Sequence, residues 1–176
     1  MRNLKAEQAA LLMQIVSDHY PNQQILHITD CGTDLHDYLF KMTKERGFEY
    51  DLRHTVDTPP PITGGDGHPA FRVEPLDLRR RAYNKHARLY EYVFVTLDEE
   101  SLAESLEEML KKIFRLMKNS GVLVFLLKKR GPLEGKIDKL LEDGYFVAVN
   151  HIDIFDDFDV VNARKMHGWG AYSVGF

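Results

Sequence analysis

Cysteine is almost absent from this 176-residue chain, where Cys31 is the only one. A single thiol excludes an internal disulfide framework and suits a reducing compartment. No apolar run approaches the roughly 18 residues that a membrane-spanning helix needs. The N-terminal stretch mixes charged and polar residues with its apolar ones, unlike a secretory signal. Together these absences predict a cytoplasmic protein. An excess of positive charge is missing too: 23 Lys and Arg face 27 Asp and Glu, for a net −4. Nothing global therefore points to nucleic acid or an anionic membrane as partner. His27, Asp30, His36 and Asp37 lack paired cysteines and any His-x-x-x-His spacing, so they do not predict a metal site. What is present is ordinary for a globular chain, 28% charged and 44% apolar, and long enough to bury a substantial core.

One stretch organises the rest: residues 24–40, QILHITDCGTDLHDYLF. Ile25, Leu26 and Ile28 supply a buried strand, and Asp30-Cys31-Gly32-Thr33 a tight turn. The Asp34 carboxylate is placed to cap a following helix, on which Leu35, Tyr38, Leu39 and Met42 recur at helical spacing. Open α/β sheets build their ligand crevice from such strand–turn–helix units, at the carboxyl ends of the strands.

Before this stretch, residues 4–19 predict an amphipathic leading helix (within 1–20) with Leu4, Leu11, Leu12, Ile15 and Val16 on one face, ended by Pro21. Gly47 suits a C-terminal cap for the second helix, and residues 48–56 form a second strand. Residues 57–69 are a Pro/Gly-rich loop with three consecutive prolines and two glycine turn signals. A third strand over 70–76 ends at Asp77, and the basic residues 78–89 are helical or irregular. Strand 90–97 and the amphipathic helix 101–117 follow, the helix ending at Asn119-Ser120-Gly121. Strand 122–127, helix 132–142 and two strands over 145–155 and 158–163 complete the chain. The last two are joined at Asp156-Asp157 and must be antiparallel. The alternation predicts one α/β domain over 1–176, with a mostly parallel sheet, an antiparallel C-terminal strand and helices on both faces.

In this arrangement the chain resembles the class I S-adenosylmethionine-dependent methyltransferase fold, which is Rossmann-like. Cys31-Gly32-Thr33 lies where that family has its glycine-rich loop. Helix 101–117 running through Asn119-Ser120-Gly121 into VLVFLL is similar to its fourth helix and fifth strand, and the closing hairpin to its sixth and seventh strands. The resemblance implies a small methyltransferase-like protein with S-adenosylmethionine as cofactor, held by residues around Asp30, Gly32, Thr33, Asp34, His54, Asp77 and Thr96. Departures from the pattern are explicit. Asp30 and Asp34 stand at the loop's first and third glycine positions, and Ile28 where an acidic residue is usual. His54 falls at the end of the second strand, where a carboxylate commonly meets the ribose, with Asp51 and Asp57 nearby; Glu74 competes with Asp77 for the adenine side.

Each candidate also has a purely structural reading. Asp34 caps equally well, and Asp98-Glu99-Glu100 suits the positive end of a helix dipole. Cys31 could gain thiolate character near a helix N-terminus. Arg79, Arg80, Arg81, Lys85, His86 and Arg88 form the one basic cluster, open to phosphate groups or simply solvated. Trp169, Tyr172 and Phe176 in the tail could pack on a sheet edge or against a second copy of the chain. A non-catalytic relative, acting as an interaction or ligand-binding module, is the alternative to an enzyme. Another nucleotide-binding α/β protein is disfavoured, because phosphate-cradling glycines are missing and two carboxylates at the helix mouth repel a diphosphate.

Overall fold

The computed structural model describes residues 3–58, 62 and 67–166. Most of the Pro/Gly loop and the aromatic tail lie outside these residues. The order of elements is α1 (Ala6–Met13), β1 (Gln24–Thr29), α2 (Leu35–Arg46), β2 (Glu49–His54), β3 (Phe71–Pro75), β4 (Tyr90–Thr96), α3 (Glu99–Leu116), β5 (Met117–Lys128), α4 (Ile137–Asp143), β6 (Phe146–Ile152) and β7 (Phe158–Lys165). Seven strands make one sheet in the order β3-β2-β1-β4-β5-β7-β6. The β1–β2, β1–β4, β2–β3 and β4–β5 pairs are parallel, and β7 runs antiparallel to both β5 and β6. Alternation on β1 feeds two cores. Leu26 and Ile28 pack with α3 and α4, while Ile25 packs with α1 and α2 on the other face. Central strands covered on both sides read as continuous apolar runs, which is why β1, β4 and β5 are evident in the sequence.

Three elements differ from expectation. The leading helix is only Ala6–Met13; Leu11 is 48% exposed, so its leucines do not make one buried stripe. Helix α3 stops at Leu116 and passes straight into β5, without a turn at 119–121. Met117 already pairs with Tyr90, and a register shift before Tyr92 with Ser120 at φ 60° marks a bulge there. The polar Lys118-Asn119-Ser120 disguises this start of the strand. Helix α4 begins at Ile137, after turns over the residues that follow Pro132. Residues 78–89 are irregular. Gly47 does end α2, in the left-handed region at φ 68°.

Candidate functional site

The sheet order reverses between β1 and β4, and a cavity of about 380 Å³ opens at their carboxyl ends. Asp30, Gly32 and Thr33 of the β1–α2 turn line one side, and Thr96, Leu97, Asp98 and Glu99 the β4 side. Leu126 and Lys128 of β5 and Phe158 of β7 close it. The lining is acidic, with three carboxylates to one lysine.

Asp30 ties the two walls together. Its Oδ1 accepts the Gly32 N–H at 2.8 Å, its Oδ2 accepts the Asp98 N–H at 2.6 Å, and its own N–H donates to the Thr96 carbonyl. Beneath the turn runs a buried polar chain. The His27 ring nitrogens meet Tyr50 Oη at 2.9 Å and Thr96 Oγ1 at 2.7 Å; Thr96 then donates to Thr29 Oγ1, which accepts the Cys31 N–H. Complete burial drives the His27 pKa down to about 3, with His36 adding a smaller push, so the ring is neutral at pH 7. This chain holds Cys31 at φ 64° and fixes the turn. Burial and then Asp30 raise the Cys31 thiol to about 11, the reverse of an activated thiolate.

The remaining sequence candidates do not join them. Asp34 starts α2 but makes no side-chain cap; its Oδ1 accepts the Leu4 N–H, tying the leader to the turn. His54 is buried and bonds the Val56 carbonyl through Nδ1. Asp77 is exposed and accepts the Arg79 N–H two residues on. Asp51 accepts from Tyr90 Oη within the sheet, and Glu74 pairs with Arg53. Thus Asp30, Gly32, Thr33 and Thr96 converge, and Asp34, His54 and Asp77 stand apart from the cavity lining.

Glu99, Lys128 and Phe158 were not singled out from sequence as lining residues. Glu99 is 7% exposed, and neither carboxylate oxygen has a hydrogen-bond partner among the described residues. It lies against Gly131, where a Cβ would come within 1.8 Å of Oε2. Burial raises its pKa, opposed by the nearby backbone of Lys128 and Leu133, which falls short of hydrogen-bond geometry. Only its acidic place at a helix start was visible in the sequence. No group of three or more His, Cys, Asp or Glu side chains among the described residues is arranged to hold a metal. None of the described helices is long and apolar enough to cross a membrane.

The fold is that of the class I methyltransferases. Solved structures show it at TM-scores well above chance, all at low identity. A CurJ carbon methyltransferase superposes at TM-score 0.68 with 13% identity, covering 91% of this chain and 54% of that one. The 1,6-didemethyltoxoflavin-N1-methyltransferase of Burkholderia thailandensis, solved with S-adenosylhomocysteine, gives 0.65 and 13% over 92% and 78%. A SAM-dependent methyltransferase from Aquifex aeolicus gives 0.66 and 14% over 91% and 90%. This chain spans about half the length of the carbon methyltransferases it matches, at 54% and 51%. No family model and no curated protein matches the sequence.

Proposed function

We propose that this chain is a methyltransferase-like protein that takes S-adenosylmethionine in the crevice between β1 and β4. The observation that carries the reading is the acidic lining at the sheet's switch point. S-adenosylmethionine brings two positive centres, an ammonium and a sulfonium, and Asp30, Asp98 and Glu99 offer negative charge to them. In this reading the crevice takes the methionine half of that cofactor. Its lining includes no carboxylate from the β2 or β3 ends for the adenosine half: β2 ends in a histidine, His54, and Asp77 lies outside the cavity and accepts the Arg79 N–H. When bound, such a cofactor supplies an electrophilic methyl group; the protein's part is to orient an acceptor against it and exclude water.

One observation favours the second reading, a non-catalytic relative with an altered crevice. The Asp30 side chain occupies the amides of Gly32 and Asp98, where backbone would otherwise be free to meet a ligand. Calorimetric titration with S-adenosylmethionine, repeated with S-adenosylhomocysteine, separates the two. Saturable heat supports cofactor binding. A flat titration with both ligands at millimolar concentration, repeated at a second temperature, rejects it and leaves the interaction module.

A further inference from the structure

A second, larger cavity of about 710 Å³ lies beside the crossover from β3 to β4 and shares no lining residue with the crevice. It exists because residues 78–89 form no helix over β2 and β3, leaving charged side chains of the sheet as a floor. The floor is internally paired. Arg53 bridges to Glu74, and Arg72 lies 3.9 Å from Asp51, which also accepts from Tyr90 Oη. The wall is not paired: the side chains of Arg80, Arg81 and Lys85 make no ion pair or hydrogen bond among the described residues. Five positive side chains face two carboxylates, in a chain of net −4.

The wall is also held in place. Tyr83 is buried; its hydroxyl donates to the Leu78 carbonyl at 3.2 Å, and Lys112 of α3 donates to the same carbonyl at 3.0 Å and sits over the Tyr83 ring. At the other end Arg88 and Leu89 donate from their amides to the carbonyls of Arg115 and Leu116. The cations are therefore carried on a segment pinned at both ends against α3, not on a free loop.

We propose that this groove binds a small phosphate-bearing anion, with Arg80, Arg81 and Lys85 as its charge partners. Guanidinium groups match phosphate oxygens in paired geometry, and the neutral floor leaves the wall's charge uncompensated. A small anion is favoured over a nucleic acid strand, because outside the groove the protein is net negative and repels a long polyanion. The inference stands independently of the crevice.

The test is calorimetric titration of the full chain with inorganic pyrophosphate at low salt, beside anisotropy of a labelled oligothymidylate. Saturable pyrophosphate binding is expected, weakened at least ~10-fold in the Arg80→Gln/Arg81→Gln/Lys85→Gln variant, which removes all three charge partners of the anion. These positions are exposed, and circular dichroism confirms that the variant folds. Lys41→Gln/Lys44→Gln, on exposed positions of α2, should bind as the parent does. Absence of pyrophosphate heat at millimolar concentration overturns the proposal. So does equal binding by the triple variant and the parent, or tighter binding of the oligonucleotide than of pyrophosphate.

Discussion

The two halves of the sheet's carboxyl edge carry similar residue types and use them differently. At the ends of β1 and β4, Asp30 and Thr96 reach across to the neighbouring turn and build a cavity. At the ends of β2 and β3, His54 and Asp77 bond backbone two residues away and do not line that cavity. The difference follows from topology. Between β1 and β4 the connections leave in opposite directions and the turns stand apart, so side chains there have a gap to bridge. Edge strand β3 lies outside this gap, and its Arg72 to Pro75 are exposed. Residue type alone does not make a site; the strand order does.

Core substitutions should show the contrast most strongly. Phe94→Ala on β4, a fully buried position, should cost ~3–5 kcal/mol in urea unfolding. Val73→Ala on exposed β3 should stay within about 0.5 kcal/mol, and equal costs would erase the distinction between the halves.

Next in size is an acid effect from His27. Its folded pKa, about 3, lies below the ordinary 6.5, so between these values the unfolded chain binds a proton that the folded one does not. Stability is complete above pH 6.5 and falls toward pH 3, by about 1.4 kcal/mol per unit within that window. Urea midpoints across pH should show a shallower acid limb in His27→Gln; an unchanged limb would mean that the histidine is not the source.

Smaller effects fall on the turn itself. Asp30→Ala removes the acceptor shared by Gly32 and Asp98 and should cost about 1 kcal/mol, given its partial exposure. The same variant should weaken S-adenosylmethionine binding in calorimetry. Asp77→Asn should change neither stability by more than about 0.5 kcal/mol nor that affinity, and a clear loss would bring the β3 end back into the site.

The sequence reveals most where contacts are local or burial is two-sided. The apolar runs of β1, β4 and β5, the hairpin and the Gly47 cap are of this kind. So is the Cys31-Gly32-Thr33 turn at the head of the crevice. Leu11 misleads because helical spacing shows which residues could share a face, not whether anything covers it. The Asp34 carboxylate is spent on the amide of Leu4, 30 residues away, a partner that no local pattern encodes. His27 is similar: its neutral state depends on Tyr50 and Thr96 from two neighbouring strands. Glu99 looks like an ordinary helix-start acid until the sheet buries it against Gly131.

The central claim of the proposed function is that S-adenosylmethionine is recognised in the β1–β4 gap and not at the carboxyl ends of β2 and β3. An amide nitrogen–proton NMR spectrum followed during titration with S-adenosylmethionine tests it directly. The account predicts saturable shifts at Gly32, Thr33, Leu97 and Asp98, with Asp77 and Arg79 unmoved. Shifts confined to Thr55, Asp77 and Arg79, or no shifts at millimolar ligand, would contradict it.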